Sequence, residues 1–374
     1  MKVMILSSYA PTLFYFREDM MKAMINNGHE VIAAAPEPVE EWGHKFKERN
    51  IKYVSIQGIE RTGTNPIKDI NGFFSILKQI KKEKPDKVFA YQAKTIIYGC
   101  IAAKLVGVKG IFALMGGLGS VFRNNDRRSI ARDILKTEYK FAFNLCDNVF
   151  FQNKDDCNEM KNTGLIQNEK IVMINGSGVN LEKFKDKPIT QFPVFLFVGR
   201  IIRDKGIIEY LEAAKIVKNK YPEARIQIVG YFDTNPTAIK KEEISEYINQ
   251  GIIEYLGPTD DVRPFLEKST VYVLPSYHEG TPKSVLEAMA IGRPIITTDA
   301  PGCRETVVDG INGFLVPVKN ANKLAEKMIW MIEHREDAEI MGQESLRICK
   351  EKFDVNKVNE VILKTMNLLL KGKV

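Results

Sequence analysis

The stretch VYVLPSYHEGTPKSVLEAMAIGRPIITTD, residues 271–299, decides how the chain is to be read. It opens on a short apolar run ending at Ser276, the length of a buried strand. A loop follows that carries Glu279. Thr281 is then placed to cap a helix with Pro282 at its first position, where proline's missing N–H costs nothing. The helix is expected to run through KSVLEAMAI and stop at Gly292, with Pro294 beyond it. PIITTD (294–299) reads as the next strand. Strand, helix and strand at this spacing form a βαβ unit of a parallel sheet.

The same rhythm extends in both directions. Strands are expected at 3–6, 31–35, 52–56, 87–91, 110–114 and 148–152, and again at 193–199, 224–230, 252–257, 271–276 and 294–299. Amphipathic helices lie between them, one from Arg17 to Asn27 before Gly28. The rhythm breaks in LEKFKDKPITQFP (181–193), which is charged, holds two prolines and shows no period. The chain therefore reads as α/β, with two doubly wound, Rossmann-like parallel-sheet domains facing a cleft. The boundaries are 1–185 and 186–355, with a C-terminal helix at 356–374 packing back on the first domain.

A length of 374 residues suits two domains, and 44% hydrophobic with 27% charged residues is a globular composition. No apolar run reaches the ~18–20 residues of a membrane span. VMIL (3–6) reads as a first strand, since no small-residue cleavage site follows it. Five scattered cysteines without a C-x-x-C pair, and four scattered histidines, argue for a reducing cytoplasm and against a metal site. The net charge of +7 points to anionic partners.

In doubly wound sheets ligands sit at the carboxyl ends of the strands. The strand at 193–198 ends in VGRIIRDKG, where Gly199 allows a tight turn and Arg200 and Lys205 stand near a helix start. Two cations beside a helix N-terminus make an anion site. The helix starting near Pro282 offers the N–H groups of Lys283, Ser284 and Val285 to a phosphate. Glu279 is placed to accept hydrogen bonds from sugar hydroxyls. Glu287, ~7.5 Å along the helix from Pro282, is placed for a ribose diol. Either glutamate taken alone is an ordinary surface residue; their convergence with Arg200 and Lys205 makes a site. Asp260-Asp261 reads as a helix N-cap, not as a metal-binding D-x-D.

E-x7-E in EGTPKSVLE, the upstream VGRIIRDKG and the downstream PIITTDAPGCRETVVDGINGFLVP resemble the large retaining glycosyltransferase family with the GT-B fold. The resemblance covers essentially the whole chain. It implies a nucleotide-diphosphate sugar donor, with UDP favoured over GDP, bound in the C-terminal domain without metal or other cofactor. It assigns Arg200 and Lys205 to the diphosphate, Glu279 to the sugar, Gly280, Thr281, Pro282, Lys283, Ser284 and Val285 to sugar and phosphate, and Glu287 to the ribose. It places the base near the end of the strand at 252–257, around Tyr255 to Pro258, with Tyr255 and Leu256 as donor-binding residues. Cys303, after the strand at 294–299, is a candidate pocket residue.

In the first half, AYQAKTIIYG…GGLGSVF and NGSGVNLEKF are similar to the branch that extends sugars on polyprenyl-diphosphate carriers. Ala93 stands where many relatives carry a His, and Asn180 where Asp is more usual. The acceptor is assigned to Arg17, Lys94, Gly117, Gly119, Arg123, Arg128 and Arg132. Arg128, Arg132, Lys136 and Lys140 recur every four residues, which predicts a basic helical stripe, with Ile130, Ile134, Leu135 and Phe141 off it. Such a stripe suits a carrier diphosphate or the anionic inner face of the cell membrane. No nucleic-acid-binding motif accompanies it.

No residue stands as a covalent nucleophile. Front-face attack by the acceptor hydroxyl, with Arg200 and Lys205 stabilising the leaving diphosphate and Glu279 orienting the sugar, is the expected chemistry. Two competitors share the fold class: a nucleotide-sugar 2-epimerase, which needs no acceptor, and a non-catalytic glycosyltransferase-like subunit, which would have lost Glu279, Arg200 or Lys205.

Overall fold

The computed structural model describes residues 1–60, 65–118, 130–189, 193–233 and 237–370. The chain divides into two compact units, Met1–Ser177 with Val355–Val374, and Gly178–Asp354.

The first unit alternates β1 (Lys2–Ser7), α1 (Ala10–Asn26), β2 (Glu30–Ala35), α2 (Val39–Lys47), β3 (Lys52–Ser55), α3 (Pro66–Glu83), β4 (Lys87–Tyr91), α4 (Ala93–Val106), β5 (Gly110–Met115), α5 (Ile130–Leu145), β6 (Asn148–Phe151), α6 (Lys154–Asn162) and β7 (Ile171–Met173). The strands form a sheet in the order β3-β2-β1-β4-β5-β6-β7, and every pairing is parallel. Alternate side chains of one strand feed opposite faces. Met4 and Leu6 join the core under α3, α4 and α5, with Ile76, Ile96 and Phe143. Val3 and Ile5 join the core under α1 and α2, with Leu13, Met24 and Phe46. A sheet covered on both faces needs strands apolar throughout, which is why these strands show no polar alternation.

The second unit holds β8 (Val194–Val198), α7 (Ile207–Lys220), β9 (Arg225–Val229), α8 (Lys241–Asn249), β10 (Glu254–Tyr255), α9 (Arg263–Lys268), β11 (Val271–Leu274), α10 (Lys283–Ala290), β12 (Ile295–Thr298), β13 (Gly313–Val316), α11 (Ala321–Glu333) and α12 (Arg335–Ile348). Its sheet runs β10-β9-β8-β11-β12-β13. α13 (Val355–Thr365) then belongs to the first unit, where Val358 and Ile362 enter the core that also holds Leu13 and Met24.

Two strands, β7 and β13, are absent from the sequence reading. At three and four residues they are too short to show a period. The run at 252–257 yields only a two-residue strand. The units divide between Ser177 and Gly178, not after residue 185. Residues 178–189 go with the second unit because they are tied into it. The Val179 amide donates to the Phe353 carbonyl at 2.8 Å. The buried guanidinium of Arg293 donates to the carbonyls of Lys187 at 2.7 Å, Glu267 at 3.0 Å and Leu266 at 3.1 Å.

In each sheet the strand order reverses beside the first strand, between β1 and β4 and between β8 and β11. At these switch points neighbouring loops diverge and leave a crevice at the carboxyl ends.

Candidate active site

The β8–β11 switch point gathers the loops that carry Lys205 and Glu279. Lys205 ends a short 3-10 turn, Arg203–Lys205, and Gly206 follows at φ +71°. A Cβ on Gly206 would lie 2.0 Å from the Pro275 carbonyl oxygen. Only glycine therefore allows the loop after β8 to pass against the loop after β11. The contact is sealed by the Tyr277 amide donating to the Asp204 carbonyl at 2.9 Å, and by the Ser276 hydroxyl donating to the same oxygen at 3.1 Å. On the other side Gly302, at φ +78°, backs onto Glu279, where a Cβ would meet the Glu279 carbonyl oxygen at 2.1 Å. The Glu279 amide donates to the Pro301 carbonyl at 2.9 Å. The loops after β8 and β12 thus hold the Glu279-bearing loop from two sides.

The Lys205 ammonium is ion-paired with the Glu279 carboxylate, with side chains 19% and 12% exposed. Burial pushes the Glu279 carboxyl up. Lys205, a Ser276 hydrogen bond and Arg200 outweigh it and hold the group below its ordinary value. Glu279 is therefore an ionised acceptor in a largely shielded place. Arg200 donates through Nη1 to Asp233 at 2.8 Å. The structure thus adds Asp233 to the site. Its pairing with Arg200 joins two loops 33 residues apart, and no local pattern could have flagged it.

Glu287 lies partly buried on α10, and burial pushes its carboxyl up to about 7, opposed by Lys283 and reinforced by Asp261. α10 begins at Lys283, so Thr281 is not its cap. Pro282 occupies the cap position at φ −70°, ψ 111°, and no side chain caps the end. The Val285 amide closes back onto the Pro282 carbonyl at 3.1 Å, which removes it from the donors expected for a phosphate. Ser284 is half-buried at the start of α10, and the buried Tyr272 hydroxyl donates to the Val198 carbonyl at 3.1 Å. Gly280 and Thr281 lie in the loop between β11 and α10.

Gly199 and Asp261 depart from the sequence reading, and Tyr255, Leu256 and Cys303 take the following places. Gly199 does not take a left-handed turn; its neighbour Gly230 needs the missing side chain, since a Cβ there would lie 1.8 Å from the Gly199 oxygen. Tyr255 turns its hydroxyl to the Gly230 carbonyl at 2.9 Å, while Leu256 is exposed. Cys303 is wholly buried. The cap position of α9 is Val262; Asp261 instead accepts from the Arg263 amide and guanidinium.

At the β1–β4 switch point of the first unit, Gln92 has φ +79° and ends the loop before α4. Its Oε1 accepts from the Ser7 hydroxyl at 2.9 Å, the Ser8 amide at 2.9 Å and the Ser8 hydroxyl at 2.7 Å. Arg17 is 2% exposed and lies over the Tyr91 ring at 4.7 Å. Lys94 is ion-paired with Asp69 at 2.5 Å, which ties the first turns of α4 and α3 together. Gly117 sits at φ +126°. Gly119, Arg123 and Arg128 lie outside the described residues. The basic stripe does not form one solvent face on α5. Lys140 is exposed but Arg132 and Lys136 are partly covered, and Ile134 and Phe141 share the exposed side.

In the second unit, a cation–carboxylate pair and a helix start without a side-chain cap meet at a switch point, an arrangement suited to binding an anion. Family models agree. "Glycosyl transferase 4-like" matches residues 2–153, and "Glycosyl transferases group 1" matches residues 179–347. The chain is 30% identical, over 89% of its length and 90% of the relative's, to the N,N'-diacetylbacillosaminyl-diphospho-undecaprenol alpha-1,3-N-acetylgalactosaminyltransferase of Campylobacter jejuni. It is 29% identical, over 70% of each chain, to the UDP-Gal:alpha-D-GlcNAc-diphosphoundecaprenol alpha-1,3-galactosyltransferase of Escherichia coli. A glycosyltransferase of Rickettsia africae shares the fold at a TM-score of 0.78, with 19% identity over 100% of this chain and 99% of that one. Anabaena HepE in complex with UDP shares it at 0.77, with 16% identity over 98% and 99%. The chain belongs to the group 1, 4-like glycosyl transferase family, and its two units make a GT-B enzyme.

Proposed function

We propose that this glycosyltransferase moves a hexose or N-acetylhexosamine-type sugar from a UDP-sugar to a polyprenyl-diphosphate-linked saccharide, in bacterial surface-polysaccharide synthesis at the inner face of the membrane. The Lys205–Glu279 pair at the β8–β11 switch point carries the reading. In it an ionised carboxylate suited to sugar hydroxyls sits against a cation suited to the leaving diphosphate. Arg200 and the uncapped start of α10 add positive potential on the same loops. These groups oppose the charge that develops as the anomeric bond breaks, a task that needs no metal. Glu287 takes the ribose, and the loop at Tyr255 and Leu256 takes the base. The relatives' names specify α-1,3 products and diphosphate-linked undecaprenol acceptors. An α-linked product from an α-configured donor means retention, by front-face attack with the donor phosphate taking the acceptor proton. Arg17, Lys94 and Gly117 are assigned to the acceptor side.

The test is UDP release from a panel of UDP- and GDP-sugars, with and without a polyprenyl-diphosphate-linked sugar. Release that rises strongly only with the lipid-linked acceptor supports the reading. Acceptor-independent conversion into a new nucleotide sugar overturns it in favour of an epimerase.

A further inference from the structure

α3 packs Gly72, Ile76, Ile80 and Glu83 inward. Its opposite side carries Ile67, Ile70 and Phe74, which are 72%, 56% and 58% exposed. Spaced i, i+3, i+7, they form one stripe ~10 Å long. A soluble helix buries such a stripe; this one buries a different stripe and leaves these three side chains in water. The helix then changes character. Lys78, Lys81 and Lys82 follow on the exposed side. Three acids on or beside the helix are ion-paired: Glu60 with Lys68, Asp69 with Lys94 and Glu83 with Lys52. The outer face of α3 is thus apolar at one end and cationic at the other.

The direction of the helix matters. α3 follows β3, so its apolar end lies toward the carboxyl edge of the sheet, and the Asp69–Lys94 pair joins that end to the first turn of α4 beside Gln92. The acceptor residues of the proposed function lie at the same edge.

We propose that the outer face of α3 docks on an anionic lipid surface, with Ile67, Ile70 and Phe74 entering the headgroup–acyl boundary and Lys78, Lys81 and Lys82 meeting lipid phosphates. Exposed apolar side chains gain by leaving water, and lysines extend their stems along apolar surface while keeping the ammonium among headgroups. The occupant is a bilayer because an apolar stripe continued by lysines complements an anionic interface. This surface replaces the α5 stripe as the principal membrane contact, since α5 exposes Asp133 beside Ile134 and partly covers Arg132 and Lys136. The proposal deepens the lipid-linked-acceptor reading and rests on it.

The test uses the full chain with vesicles of phosphatidylglycerol and phosphatidylethanolamine, or of phosphatidylcholine alone. Wild type should float with the anionic vesicles and bind the neutral ones at least ~10-fold less. Ile70→Ser/Phe74→Ser and Lys78→Glu/Lys81→Glu should each weaken anionic-vesicle binding by at least ~10-fold. All four positions are exposed, so melting temperatures should not move. Both variants should keep wild-type UDP release with a short-chain, water-soluble prenyl-diphosphate acceptor and lose it with a long-chain acceptor embedded in vesicles. Variants that bind vesicles like wild type overturn the inference, while transfer to the soluble acceptor still upholds the activity. Vesicle binding that depends on α3, without transfer to either acceptor, supports the surface and overturns the activity. A wild-type dimer that the variants make monomeric would show the face to be an interface between copies, and would also overturn it.

Discussion

Glu287→Gln should stabilise the protein while impairing it. The carboxyl sits on α10 at about 7 instead of 4.5 because burial disfavours its charge; Lys283 relieves this and Asp261 aggravates it. The folded chain therefore holds this proton more tightly than the unfolded chain. The contribution to stability is fully present below pH ~4.5 and is lost as pH rises through ~7. From 4.5 to about 7, at roughly 1.4 kcal/mol for each tenfold in proton affinity, the loss is ~3 kcal/mol in full. The side chain is only partly shielded, and solvent screening reduces this to ~1–2 kcal/mol. A neutral amide of the same shape escapes the loss. By thermal unfolding at pH 8 the variant should melt ~2–8 °C above wild type, at ~2–4 °C per kcal/mol for a unit of this size. At pH 5, where most of the proton is retained, the gap should shrink several-fold. UDP should bind at least ~10-fold more weakly, because an amide is a poorer acceptor for a ribose diol. A gap of equal size at pH 5 and pH 8, or none at pH 8, would refute the burial argument.

Other substitutions probe the rest of the site and its frame. Lys205→Ala should cut kcat for UDP release by ~10²–10³, the cost of one electrostatic contact to a developing charge. It should also raise the pH at which Glu279 ionises, so residual activity should shift to higher pH; an unchanged pH profile would contradict the pairing. Gly302→Ala, forced to φ +78° with its Cβ against the Glu279 carbonyl, should displace the Glu279 backbone and lower kcat at least ~10-fold, whereas Gly310→Ala, with open space around it, should not. Arg293→Met should cost ~2–4 kcal/mol in denaturant unfolding, because it strands the buried Leu266 carbonyl and the part-buried Lys187 and Glu267 carbonyls that the guanidinium now satisfies. A loss below ~1 kcal/mol would mean that water replaces it.

The βαβ alternation, the helix stop at Gly292, the strand-end loops bearing Arg200, Lys205 and Glu279, and the helix bearing Glu287 were all legible in the amino-acid order. Each depends on periodicity or turn chemistry within a few residues. Motif spacing was enough to place the chain in its family. The start of α10 was missed by one residue because Thr281 and Pro282 are both acceptable at a helix start, and the choice between them came from how three loops pack. The pairing of Lys205 with Glu279 depends on β8 and β11 being neighbours. Strand order brings together side chains 74 residues apart, and no local signal encodes it. Asp233 beside Arg200 is of the same kind. On α3 the sequence shows apolar residues on more than one side, and only packing decided that Ile76 and Ile80 face the sheet while Ile67, Ile70 and Phe74 face water. Local order determined the elements and the chemistry they carry; tertiary packing decided which charges are paired and which apolar faces remain open, because both are set by neighbours distant in sequence.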